Sequence, residues 1–543
     1  MNLKLLLCGV LSIYCLACLF AGVDVKVNQD PGPLLQNETS IAYNKGVPLN
    51  IVIAYNEDPS GAFGSVNGLG ISYSFDEGMT WADTQITQVW GVEADPSVES
   101  DLMGNFYVGF ISYKGFFTDT NGIFVSRSTD GGITWSFPSP VDMFMNSPAN
   151  PGPFTDKCYL TVDNSPTSPF AGNVYIAWQR DNVNQTNSDV FFSFSNNMGV
   201  SFSTPQRISD LPPSVSQCVG QVPKTGQSGE VFVLWGDFGL NGHTTGYLFI
   251  DVSLDGGITW GTDVLIDSFI SVQRFPNPAF PGFYVRSYPT LAVDPNNSNF
   301  VYAAVAADPD GPGGPDDGDI WFWYSHDGAV TWNGPVVVND DGSPNDQFQP
   351  WMDVKHNGLI DIIWLDRRGD VNDNDFEIFM ATSTDHGQTF QPNLPVSDLI
   401  FPLLPGQEWM GEYIGIDVFA DFAFISWTDT RLGERDIFFD SIHNPMMGAE
   451  QLLTINHYLP TVSIDPNPFC TSTEIKFSLD FAQSVSLDIY DLSGRKVCNL
   501  IDQYLEPGNH SVVFDPNSAQ NNVYFYQLRL NDNKTQGRIV YIN

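Results

Sequence analysis

Three runs in this 543-residue chain carry the same charged theme after a tryptophan: Trp178-Gln179-Arg180-Asp181, Trp364-Leu365-Asp366-Arg367-Arg368 and Trp427-Thr428-Asp429-Thr430-Arg431. Other stretches open on Asp156 and Lys157, on Arg286 and Tyr288, and on Glu408, Glu412 and Tyr413. Arginine holds a carboxylate through two parallel hydrogen bonds. Two carboxyl groups can share the acid and base work of cleaving a glycosidic bond, with their separation fixing the outcome. The candidates for such a pair are Asp156, Asp353, Glu408 and Glu412, with Tyr413 beside them. The candidates for binding are Arg180, Arg286, Arg367 and Arg431. Trp409 and Tyr413 could stack on sugar rings. The aspartates beside these arginines offer a plainer role, ion pairing between neighbouring structural units.

Oxygen ligands suggest a second chemistry. Asp366, Asp370, Asn372, Asp373 and Asp375 fall within ten residues, and Asp308 to Asp319 is similarly acidic. A hard cation such as Ca2+ takes six to eight oxygens. Neither segment has EF-hand spacing, and solvated turns use the same residues. The seven histidines include no H-x-x-x-H pair, and no glycine loop is tied to a strand–helix unit, which argues against zinc and nucleotide chemistry.

The elements that must position these residues are announced by a repeated phrase. It reads SFDEGMTW at 74–81, STDGGITW at 128–135, SNNMGVSF at 195–202, SLDGGITW at 253–260, SHDGAVTW at 325–332 and STDHGQTF at 383–390. The pattern S-x-D-x-G-x-x-W resembles the Asp-box, or bacterial neuraminidase repeat, of the sialidase superfamily. A β-prone run precedes each copy, so each reads as a hairpin turn. Asp76, Asp130, Asn197, Asp255, Asp327 and Asp385 would accept the turn's own N–H groups, glycine would take positive φ, and the final aromatic would fold back as an apolar plug.

The copies are 54, 67, 58, 72 and 58 residues apart, which suits a four-stranded blade with variable loops. Two strand-like runs precede each turn, as in PTLAVD (289–294) and FVYAAVAAD (300–308). After the sixth copy, GEYIGIDV, FAFISWTDTR and DIFFDSI supply a seventh module without the phrase. The expected fold is all-β: a β-propeller over residues 30–455, with seven blades favoured and six, the sialidase number, as the alternative. In such a ring the phrase marks one face, and a site belongs on the other, at the channel mouth.

Residues 460–543 have a pattern of their own. PNPF, IYDLSGRKV, the PG-x-H turn and VYFYQL follow in order. The segment resembles the C-terminal sorting domain of type IX secretion substrates, expected as a small Ig-like β-sandwich. The resemblance implies the secretion machinery as a partner and a secreted or outer-surface location. Lys4 followed by apolar Leu5 to Phe20 reads as a signal peptide over 1–21. No other run is apolar enough to span a bilayer. Four cysteines remain beyond it, so Cys158–Cys218 and Cys470–Cys498 could pair, with buried thiols as the alternative. The balance of 63 acidic against 22 basic residues disfavours nucleic acid and anionic membranes.

The sialidase resemblance implies three arginines on a substrate carboxylate, a Tyr nucleophile assisted by Glu, and an Asp acid/base. The chain departs from it: no arginine precedes Arg127, so the family's Phe/Tyr-Arg-Ile-Pro motif at the propeller start is missing. The sequence therefore points to an extracellular module that binds glycan or protein through its loop face. A glycoside hydrolase or polysaccharide lyase, and a purely structural surface protein, are the alternatives.

Overall fold

A computed structural model describes residues 23–30, 35–47, 49–58, 68–115, 117–183, 187–210, 217–238, 245–272, 274–275, 283–311, 314, 316–404, 409–444, 462–469, 471–479, 483–490, 495–505, 508–516, 522–530 and 533–542. Contacts divide the chain into two compact units, Met1–Met446 and Met447–Asn543. No described residue is helical, and no helix is long and apolar enough to cross a membrane. The proposed signal segment lies outside the described residues.

The first unit contains seven four-stranded antiparallel sheets. Their inner strands are Leu35–Tyr43, Val92–Ser100, Phe154–Val162, Cys218–Thr225, Thr290–Val293, Gln347–Val354 and Gly415–Phe419. Each touches the next, and the last touches the first, so the sheets close as the blades of a seven-bladed propeller. The missing eighth-residue phrase of blade 7 has a structural counterpart. Its fourth strand is Val25–Lys26, which pairs with Phe439 and Phe438. Strands from the two ends of the first unit thus share one blade, which ties the ring closed. The ring accordingly begins at the strand Val25–Lys26, ahead of residue 30.

Alternation along the strands builds a core between the blades. Trp178, Trp235, Trp364 and Trp427, one on the second strand of each of four blades, are fully buried. The repeated phrase forms the hairpin between third and fourth strands. In the copy at 128–135, Ser128 Oγ donates to Asp130 Oδ1 at 2.8 Å and accepts from Gly132 N at 2.9 Å. Thr134 donates its N–H to Asp130 Oδ1 at 2.9 Å and its hydroxyl to Oδ2 at 2.6 Å. The other aspartates repeat this, and Asn197 bonds Ser201 instead. The aromatic that ends the phrase is half-buried and packs on the preceding blade, as Trp260 does on Phe192 and Trp81 on Phe439.

The second unit pairs a three-stranded sheet, centred on Thr473–Leu479, with a four-stranded sheet, centred on Gln483–Tyr490 and Asn522–Leu530. Phe469, Ile475, Phe477, Leu487, Leu528 and Ile539 share its core.

The Cys158–Cys218 pairing is corrected. Cys158 carries a free thiol packed with Leu160 and Ile176, its Sγ 3.9 Å from the Asp95 carbonyl. Cys218 is buried with Val190 and Trp235 in a different inter-blade layer. One layer faces each side of blade 3, so the two sulfurs are not presented to each other. Cys498 is a free, half-buried thiol in the sandwich, and Cys470 lies outside the described residues.

Candidate functional site

The inner strands are interrupted at equivalent places near the loop-face end. Register shifts fall between Asn37 and Ser40, Ala94 and Ser97, Asp156 and Cys158, Val219 and Val222, and Phe348 and Trp351. At each bulge one residue has a left-handed backbone: Glu38 (φ 55°), Asp95 (56°), Lys157 (35°), Gly220 (66°) and Gln349 (53°). Blade 7 places Gly411 (φ 95°) just before its inner strand. A Cβ there would stand 2.9 Å from both N and Cγ of Glu38, so only glycine fits. A bulge re-aims the side chains of an inner strand toward the axis. Non-glycine residues with positive φ cost free energy, and they gather where function demands the geometry.

The result is one constellation drawn from five blades. Glu38 is buried; its Oε2 accepts from Asn56 Nδ2 at 2.7 Å, and it shares a hydrogen bond with Asp95. Asn56 Oδ1 in turn accepts the Asp95 N–H at 2.9 Å. Blade 5 delivers Arg286 from a tight turn in which Tyr288 N donates to the Arg286 carbonyl at 2.9 Å. Arg286 Nε lies 3.2 Å from Glu412 Oε1, and its side chain is 44% exposed. Tyr288 hydrogen-bonds the same pair. Gly220 leaves the space that Tyr288 fills, since a Cβ there would meet the ring at 2.9 Å. Lys157 is 2% exposed, its Nζ 3.0 Å from the centre of the Tyr413 ring and 4.3 Å from that of Tyr159.

Electrostatics sets this cluster apart. Burial, then the carboxyl of Asp95, pushes Glu38 well above the ordinary carboxylate range. Burial followed by Asp95 and Asp181 does the same to Asp156. Burial lifts Asp181 to about 6 and lowers Lys157. Glu412 followed by Tyr288 holds Arg286 firmly cationic. Carboxyls that hold their protons more tightly than usual therefore stand beside the Glu412–Arg286 pair, and environments that push titratable groups apart in this way separate acid from base roles.

The sequence candidates divide. Asp156, Arg286, Glu412 and Tyr413 are brought together. Glu408 lies outside the described residues. Asp353 is at the opposite end of the channel, where its Oδ1 is 3.7 Å from Lys224 Nζ. It shares a cavity of about 40 Å³ there with Glu99 and Asp417, room for a little water and no sugar ring. Its strand position next to the turn at 355–359 places it on the hairpin face.

Three arginine candidates are structural. Asp142 accepts from both the Trp178 indole and Arg180. Asp366 joins the Trp364 indole to Arg368, and Asp429 joins the Trp427 indole to Arg431. Arg367 is buried on Asp346 at 3.2 Å. The tryptophan–aspartate–arginine theme is thus a blade brace. Trp409 and Tyr413 are 5% and 3% exposed, which corrects their reading as stacking surfaces. Tyr413 packs against Tyr159 and Trp351 and donates its hydroxyl to the Pro96 carbonyl at 3.3 Å.

The proposed calcium loop satisfies itself. Asp370 accepts the N–H groups of Asn372, Asn374 and Asp375, while Asp373 accepts that of Asp346. With Asp366 committed to Trp364 and Arg368, no three of these side chains converge. Among the described residues no group of three or more acidic, His or Cys side chains is placed to hold a metal ion.

Glu38 and Asp95 were not among the sequence candidates. Their signal is positional: each stands where its blade's inner strand begins, at the place Lys157 takes in blade 3.

Residues 463–543 match the secretion system C-terminal sorting domain. The chain therefore carries a type IX sorting domain, a mark of export, behind an all-β propeller. No curated protein matches the sequence. Among solved structures, the chain is similar to a GH93 α-L-arabinofuranosidase of Fusarium graminearum, at 13% identity, over 78% of this chain and 98% of that one, with a TM-score of 0.44. It is similar to a Hadza microbial sialidase at 14% identity, over 73% and 74%, with a TM-score of 0.42. It is also similar to a PL25 ulvan lyase at 11% identity, over 75% and 93%, with a TM-score of 0.43.

Proposed function

We propose that the protein is an exported enzyme that cleaves an extracellular polysaccharide at the propeller mouth. One observation carries this reading: Asp156, whose proton burial and the carboxyls of Asp95 and Asp181 hold more tightly, stands in the same cluster as Glu412, which is paired with the half-exposed Arg286. A neutral carboxyl can give a proton to a leaving oxygen while a carboxylate takes one from water or from the sugar ring. In this scheme Asp156 is the acid and Glu412 the base. Arg286 and Tyr288 orient Glu412. Asp95 and Asp181 favour the proton on Asp156 by crowding it with carboxyls. The sorting domain delivers the enzyme to the cell surface or beyond.

A passive glycan-binding role loses support, because Trp409 and Tyr413 are buried. A sialic acid clamp loses support as well: among the described side chains Arg286 is the one arginine at the mouth.

The test is incubation of the mature chain with a panel of polysaccharides, reading new reducing ends for hydrolysis and unsaturated products for elimination. Turnover should fall by about 10²–10⁴-fold in Asp156→Asn and in Glu412→Gln, with unchanged thermal stability. Binding without turnover across the panel would make the mouth a recognition site instead.

A further inference from the structure

The cleavage reading leaves the substrate class open, and the placement of charge narrows it. Among the described residues, the arginines around the loop face are already engaged: Arg180 with Asp142, Arg367 with Asp346, Arg431 with Asp429, and Arg435 with Asp58 at 2.9 Å. Arg286 reaches solvent, but its Nε is turned to Glu412. Lys157 is buried beneath the Tyr413 ring and offers its charge to no ligand in the mouth. Asp95 and Asp156 are instead partly open to solvent and face the same space.

An anionic sugar would have to compete with Glu412 for the charge of Arg286. It would also approach a chain with 63 acidic and 22 basic residues. Like charges facing each other across an interface suppress the wrong partner and slow its approach. An uncharged saccharide meets none of these costs. Its hydroxyls can accept from the Asp156 carboxyl and the outer N–H groups of Arg286, and donate to Asp95.

Resting on the reading above, we infer that the mouth takes an uncharged saccharide and refuses uronate, sulfated and sialylated chains, because Arg286 is pre-empted by Glu412 and no second cation among the described residues is presented to the ligand space. The charge of the site selects by exclusion.

The mature chain should be tested near neutral pH for binding and cleavage of neutral arabinan, galactan, xylan and β-glucan, against polygalacturonate, hyaluronan and sialyllactose. Each is measured at about 50 and about 500 mM salt, which shortens the screening length roughly threefold. The expected result is at least one neutral polymer bound, with affinity changing less than about twofold between the two salts, and no retention of the anionic set at low salt. Retention of an anionic polymer at low salt that weakens about tenfold or more at high salt, and is lost in Arg286→Ala, would overturn the inference and leave the cleavage reading standing. Failure of every saccharide to bind would overturn both.

Discussion

The hairpins of one face and the bulges of the other are both built by repetition, and both use positive φ, yet their carboxyl groups live differently. In the hairpins each aspartate closes a local ring of hydrogen bonds. Asp130 takes one from Ser128 and two from Thr134, and these bonds hold it below the ordinary carboxylate range despite opposing burial. At the bulges Glu38, Asp95 and Asp156 crowd one another, and burial plus that crowding raises Glu38 and Asp156. The first arrangement can be made by eight consecutive residues. The second needs several blades and leaves electrostatic strain in place. A carboxylate satisfied by its own turn stabilises a fold, whereas one kept unsatisfied by its neighbours is available for proton transfer.

The largest effect that would sharpen this contrast is kinetic. Asp156→Asn or Glu412→Gln should cost about two to four orders of magnitude in turnover, while Asp130→Ala in a hairpin should leave turnover within about twofold. If the hairpin variant were as damaging to activity as the mouth variants, the contrast would fail.

The next effect is on stability, and it runs the other way. Asp130→Ala removes three hydrogen bonds from an exposed turn and should destabilise by about 1–2 kcal/mol, read by denaturant unfolding. The corresponding loss at the mouth should be absent. Ala329→Gly, at the one hairpin where alanine takes the usual glycine place with φ 69°, should gain about 1 kcal/mol with activity intact.

The smallest effect is the pH dependence of unfolding. Burial raises Glu57, Asp263 and Asp417 to about 7 each. A raised value means that the folded state holds the proton more tightly. The stability is present below about pH 4, where the unfolded carboxyls titrate, and is lost as pH rises through 7. The melting temperature should therefore decline from pH 5 to pH 8. Asp263→Asn, in a group open enough to be screened, should remove about 1 kcal/mol of that slope. The hairpin aspartates act oppositely, since their lowered values lend stability that disappears only in acid. A melting temperature rising between pH 5 and pH 8 would contradict the burial that raises these three carboxyls.

Much of the architecture was legible in the primary structure because it is local. The phrase at 128–135 contains every donor and acceptor of its own turn, and the run 289–308 contains two complete strands. The seventh module was also legible, from strand patterns alone. The closure was not, because Val25–Lys26 is too short to read as a strand until Phe438 and Phe439 are beside it. At the site, Asp156, Arg286 and Glu412 could be picked by their place at strand starts. Arg180 and Arg431 could be picked by the same reasoning and proved to be braces, because nothing in W-x-R or W-x-D-x-R says that the carboxylate will also hold an indole.

What the sequence by itself determined is the set of turns, the repeated strand modules and the sorting domain, all of them patterns carried by neighbours in the chain; that the modules close as seven blades and not six was decided by the tertiary structure. What the tertiary structure decided is which charged groups are satisfied and which are not. Glu38 lies about 374 residues from Glu412 along the chain, yet they join one electrostatic cluster only because seven blades close into a ring, with Glu38 at the bulge of blade 1 and Glu412 just ahead of the inner strand of blade 7. Burial and carboxyl–carboxyl crowding depend on that closure, and they raise Asp156 where an aspartate in a hairpin is lowered by its own turn.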